Sequence, residues 1–261
     1  MPTHSAGSGP SSRYWDSVTA APDRLPAAWR VHCRDRYLDL IVGWLGPLSG
    51  RWMKTDLWEE TTPARSLIDR LAGPMWVGVD LSFEVASRAG AGCRVVADMR
   101  RLPFRSGAFD GILSTSTLDH FPSPSDLRRS LTELRRALAP GGRFLVTFDN
   151  PANPLIRLRN ALPAALARAT GLVPYVTGCT LSERTGRDEL TRCGFEVTRT
   201  GFLLHVPLIV GTRLARFGWY AREVMPWLER LGSTPVRAWT GHYVAFLARA
   251  GGGPGERTEG G

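Results

Sequence analysis

The sequence predicts an α/β protein organised on a parallel sheet, and three observations carry that expectation. Four short runs rich in Val, Ile, Leu and Phe, at 75–81, 93–98, 109–115 and 143–149, alternate with helical patterns or loops, as strands do in parallel sheets. An amphipathic helix separates the last two: Leu127, Leu131, Leu134 and Leu138 form one apolar stripe, with Arg128, Arg129, Arg135 and Arg136 elsewhere on its surface. Asp80, Asp98 and Asp149 sit at the ends of three runs, and open α/β sheets bind ligands beyond the carboxyl ends of their strands.

The elements follow in order. Residues 1–12 are small and polar and read as a disordered tail. From Pro26, apolar residues including Trp29, Cys33, Tyr37, Leu40, Ile41 and Trp44 recur at helical spacing up to Gly46. After the strand at 75–81, Phe83 to Ala89 is a short helix that Gly90 and Gly92 end. Ser123-Pro124-Ser125-Asp126 starts the amphipathic helix, and Pro140-Gly141-Gly142 turns the chain into the strand at 143–149. Leu155 to Ala169 reads as a helix, 171–178 as a loop containing Tyr175, and Thr180 to Glu183 as a capping box. Phe195 to Leu204 is a strand, Arg213 to Leu231 an aromatic-rich helix, and Gly241 to Arg249 the last strand. Residues 251–261 form a Gly-rich tail. The expected organisation is one domain over 13–250, with helical insertions at about 151–179 and 206–232.

The segments VGVDLSFEVASRA, ADMRRLPFRSGAFDGILS and LTELRRALAPGGRFLVT, in this order and spacing, resemble the class I methyltransferases that use S-adenosylmethionine. The resemblance covers about 53–150 well and 181–248 loosely. It implies a Rossmann-like, mostly parallel seven-stranded sheet with helices on both faces, methyl transfer as the activity and S-adenosyl-L-methionine as the cofactor. Where the family carries an acid followed by a glycine-rich loop, this chain reads RWMKTDLWEE, with no glycine until Gly73. Either Asp56, Glu59 or Glu60 supplies acceptors for the cofactor's ammonium, or these acids form the first turn of a helix, where the dipole favours them.

Other candidate site residues lie at strand ends. Asp80, followed by Leu81 and the capping Ser82, suits the hydroxyls of a ribose. Asp98 with Met99 resembles the family's contact to adenine, although an Asp at a strand end also caps turns. The tract from Ser114 through Thr117 leads into Asp119 and His120. His120 can act as a general base, its ordinary pKa being near working pH, or can hold the loop. Asn150 and Asn153 are substrate-contact candidates by position, and equally turn formers; Tyr175 belongs to the expected lid.

Composition bounds the function. The formal charge is +9, with Lys54 as the only lysine. The arginines are scattered rather than clustered, which argues against a nucleic-acid partner and leaves a small molecule, partly hydrophobic, as the expected substrate. Cys33, Cys93, Cys179 and Cys193 lack metal-finger spacing, so no metal is expected, and a reduced, cytosolic setting is. No run approaches the length of a membrane span. The sequence leaves the oligomeric state and the methyl acceptor open. A fold retained without methyl transfer, as a cyclase, isomerase or ligand-binding protein, is the alternative.

Overall fold

The computed structural model describes residues 11–19, 25–90, 92–162 and 178–251. Seven strands form one sheet in the order β3-β2-β1-β4-β5-β7-β6: β1 (Arg51–Thr55), β2 (Met75–Asp80), β3 (Cys93–Val96), β4 (Phe109–Ser114), β5 (Leu138–Asp149), β6 (Phe195–Leu203) and β7 (Tyr243–Ala250). β7 alone runs antiparallel to its neighbours β5 and β6. The order reverses between β1 and β4, so the crevice between these strands is the topological switch point, where α/β sheets bind ligands. The mostly parallel seven-stranded sheet that the resemblance implied is present.

The apolar runs alternate between two faces, as period-two side chains must. Met53, Ile112, Phe144, Val146 and Phe148 share one core with α4 (Pro124–Ala137) and Leu190 of α6 (Glu183–Arg192). Trp52, Leu113, Leu145 and Ala245 point the other way, onto Tyr37, Leu40, Ile41 and Leu45 of α2 (Ala27–Leu45). The remaining helices are α1 (Ser12–Thr19), α3 (Phe83–Arg88), α5 (Pro154–Ala161), α7 (Leu208–Leu214), α8 (Met225–Glu229) and α9 (Arg237–Thr240).

Several expectations are corrected. α1 begins inside the expected tail. α5 is described only to Ala161, and the rest of the expected helix to 169 lies outside the described residues, as does Tyr175. The cap of α6 is Ser182, whose side chain accepts from the Thr185 amide, and not Thr180. The helix expected over 213–231 is broken into α7, a π-turn at Tyr220–Val224, α8 and a 3-10 turn at Arg230–Ser233. Pro226 has no N–H and its ring crowds the carbonyl four residues back, and the chain widens into the π-turn there.

Gly111 shows how tightly the centre is packed. It lies opposite Trp52 in the parallel ladder, and a Cβ there would sit 2.4 Å from the Trp52 ring, which is 0% exposed and cannot move aside. Gly111→Ala is expected to destabilise the protein by about 1–3 kcal/mol through overpacking, measured as a lower urea midpoint with an unchanged slope.

Candidate functional site

The turn after β1 solves without glycine a problem that glycine usually solves. The Asp56 amide donates to the Val79 carbonyl at 2.9 Å, and the chain then turns with φ 61 at Asp56. A Cβ is crowded in this left-handed conformation, and Asp tolerates it because its short side chain bonds locally. Asp56 Oδ1 accepts the Trp58 amide at 2.8 Å. Leu57 then packs onto Gly78 and onto Val85, Ala86 and Ala89 beside it, while Trp58 lies under the Arg65 guanidinium.

Lys54 holds this turn from below. Its side chain is 0% exposed, donates to the Asp56 carbonyl at 2.6 Å, and pairs with Glu59 at 3.3 Å and Glu60 at 3.6 Å. Burial alone would lower its pKa; Glu59, Glu60 and Asp56 outweigh that and raise it, so the ammonium stays charged. The two glutamates differ. Glu60 is buried and also accepts from Ser66 Oγ at 2.6 Å and from the amides of Leu67 and Ile68 at 3.3 and 3.2 Å, which commits it to the following loop. Glu59, whose side chain is 27% exposed, accepts from Thr115 Oγ1 at 3.0 Å and so ties the turn to the tip of β4 across the switch-point crevice. These acids form a 3-10 turn at Glu59–Thr61 and not the start of an α-helix.

Asp80 lies on the other side of the turn. Its Oδ2 accepts the Leu57 amide and its Oδ1 the Ser82 amide, both at 2.8 Å. Burial pushes the Asp80 carboxyl up, and burial together with the Asp80 charge pushes Asp56 up to about 6, so the structure brings these two carboxylates together. Leu81 follows directly, half-buried. Ser114, at the tip of β4, accepts from Thr55 Oγ1 at 2.8 Å. β3 ends at Val96, so Asp98 and the buried Met99 lie in the turn beyond it and not at the strand end expected, with the Asp98 carboxylate clamped by Arg100 at 2.6 to 3.0 Å. Burial raises the Asp98 pKa, but the Arg100 bonds outweigh it and leave it lowered.

Past β4 the chain tightens again. Ser116 takes φ 46 and donates through Oγ to Asp119 Oδ2 at 3.0 Å. Asp119 is 3% exposed and its Oδ1 has no partner among the described residues. Burial, reinforced by the Asp149 charge, pushes Asp119 up to about 6 against the pull of His120. His120 packs against Trp15 of α1 at 5.0 Å between rings, while Asp16 of α1 accepts from Ser82 Oγ, so α1 spans from the Asp80 side to the β4 side. Asp149 is paired with Arg159 and lies 3.5 Å from His242. The Asn150 amide nitrogen donates to the carbonyls of Ala238 and Gly241, and that of Asn153 to Thr240 and Gly241, while Asn153 Oδ1 caps α5. Both amides therefore pin α9 to the end of β5. No cluster of metal-ligating side chains occurs among the described residues.

Lys54 and the covering contacts of Trp15 and Asp16 are the parts of the site that sequence reasoning missed. Lys54 did leave a signal: the only lysine of the chain stands inside an apolar strand, followed within six residues by three acids.

Residues 64–146 match the family model described as a methyltransferase domain. Over 139 residues the chain is 41% identical to the probable tRNA methyltransferase 9B of Mus musculus, a match covering 52% of this chain and 28% of that protein. It thus spans only about a quarter of the length of the curated relatives it matches. Among solved structures, the N-methyltransferase NodS of Bradyrhizobium japonicum in complex with S-adenosyl-L-homocysteine is similar at 13% identity and TM-score 0.55, covering 92% of this chain and 97% of that one. The [4+2]-cyclase SpnF is similar at 17% identity and TM-score 0.53, covering 84% and 81%.

Asp119 gives a stability prediction. Its folded pKa of about 6 lies above the ordinary 3.8, so the folded state binds its proton more tightly than the unfolded state. Its contribution is therefore fully present below pH about 4 and lost as pH rises through about 6, an amount on the order of 3 kcal/mol. Asp119→Asn is expected to flatten the dependence of the urea midpoint on pH between about 4 and 6 relative to the unsubstituted protein.

Proposed function

We propose that the chain is an S-adenosylmethionine-dependent methyltransferase acting on a small, partly hydrophobic acceptor, within one domain spanning about 13–250. The observation that carries this reading is the gathering of Asp56, Asp80 and Glu59 around the turn at the switch point of a methyltransferase fold. The residues fit the cofactor. Each Asp80 oxygen accepts one backbone N–H and retains a lone pair for a ribose hydroxyl. Glu59 keeps a partly exposed carboxylate for an ammonium, held in place by Lys54 and Thr115. Leu81, Asp98 and Met99 border the adenine end, and Ser114 the base of the crevice. Asp56 and Glu60 act behind Glu59 by shaping the turn.

When bound, S-adenosylmethionine supplies an electrophilic methyl group. The protein has to align an acceptor with it and exclude water. Asp119, buried, with a free oxygen and a pKa near working pH, takes the proton of an acceptor hydroxyl or amine; His120 is the adjacent alternative. Asn150 and Asn153 contribute by fixing the wall on which the acceptor rests. The enclosure of Asp119, 3% exposed, favours a small acceptor over a nucleic acid.

The glycine-free turn favours one other reading, in which the fold binds a ligand without transferring a methyl group. Calorimetry separates the two. S-adenosylmethionine and S-adenosylhomocysteine are both expected to bind with micromolar affinity, and Asp80→Ala to weaken both by about 100-fold through loss of two charge-assisted hydrogen bonds with an unchanged circular dichroism spectrum. A folded protein that binds neither would favour the second reading. With an acceptor in hand, Asp119→Asn is expected to lower kcat by about 100-fold or more and to remove the acidic limb near pH 6.

A further inference from the structure

The segment between β6 and β7 has a clear inner face: Gly211, Ala215, Tyr220 and Met225 are buried, and the last three pack with Val206 around Trp29. Its outer face is unlike an ordinary solvated surface. Phe217, Trp219, Trp227 and Trp239 are 42%, 54%, 60% and 64% exposed. The π-turn at Tyr220–Val224 lies between Trp219 and Trp227, and its extra residue per turn brings positions eight apart onto one side. Ile209, Val210 and Val236 add exposed aliphatic surface.

Charge on this face is mostly positive. Arg213, Arg216, Arg222, Arg230 and Arg237 are exposed between the aromatic residues, and Arg216 lies over the Phe217 ring at 4.9 Å. Only two acids occur from 204 to 242: Glu223 is exposed, and Glu229 is turned inward, accepting from His32 at 2.9 Å and from the His205 amide at 3.1 Å. Tryptophans with aliphatic neighbours and interspersed arginines form the combination that seats at a bilayer interface, rings at headgroup depth and guanidinium groups on anionic lipid. The aliphatic members have no counterpart in stacking on nucleobases, which uses aromatic rings and guanidinium planes. No helix among the described residues is long and apolar enough to cross a membrane, so contact would be with one leaflet. We propose that the outer face of residues 208–239 docks on an anionic lipid surface.

Flotation of the full chain with vesicles tests this, using phosphatidylcholine alone and phosphatidylcholine mixed with phosphatidylglycerol. The protein is expected to float with the mixed vesicles only, to release as salt is raised, and to show a blue-shifted tryptophan emission when bound. Trp219→Ser with Trp227→Ser, and separately Arg216→Glu with Arg222→Glu, are each expected to weaken flotation at least tenfold while S-adenosylmethionine binding is unchanged. All four side chains are exposed, and the two pairs test the apolar and ionic parts independently. Absence of flotation with anionic vesicles at low salt would overturn the proposal, as would flotation indifferent to both pairs. Binding of a single-stranded RNA oligonucleotide that depends on Trp227, without vesicle binding, would assign the face to nucleic acid and overturn it equally.

Discussion

One buried positive charge organises the ligand end of this protein. The Lys54 ammonium, with no solvent exposure, holds the carbonyl of the left-handed Asp56 and the carboxylates of Glu59 and Glu60. A charge in that position cannot go unpaired, since its desolvation would cost several kcal/mol, and its partners are all on the turn that follows. In the methyltransferases that the sequence resembles, the usual solution is a bare backbone that approaches its ligand closely. Here side chains build the turn: the Asp56 carboxylate bonds the Trp58 amide, Leu57 fills the space over Gly78, and Glu59 reaches across to Thr115. Preorganised charge replaces flexible backbone.

That substitution sets the chemistry of the neighbouring strand tips. Asp80 receives the Leu57 amide because the turn lies flat against β2, and burial together with the nearby Asp80 charge raises the Asp56 pKa because the turn draws the two acids together. The antiparallel β7 completes the arrangement. Its first residue, Tyr243, pairs with both Asp149 and Leu203, so the whole connection from β6 to β7 is delivered to the end of the sheet where the carboxylates lie. Asn150 and Asn153 then fasten that connection down.

Most of the fold was legible because it rests on local signals. Runs of Val, Ile, Leu and Phe, the Ser123 cap and the stripe of Leu127, Leu131 and Leu134 each declare an element without reference to anything distant. The order of the β1 turn was not legible, since its logic depends on a lysine meeting acids through space and on an aspartate adopting a backbone conformation usually left to glycine. The separate fates of Glu59 and Glu60 were invisible for the same reason: adjacent, chemically alike residues diverge once Ser66 and two amides claim one of them. The break at Pro226 could have been read from the proline alone, but the aromatic periodicity around it masked the interruption. Trp15 and Asp16 gave no cue, their contacts being to His120 and Ser82, over sixty residues away.

A chain with a single lysine, wholly enclosed, carries its own reporter of opening. Reagents that acylate side-chain amines have one lysine to find, and they can reach Lys54 only when the β1 turn lifts from the sheet. The rate at which that one site is modified therefore measures how often the ligand end breathes, residue-specifically and without any engineered label.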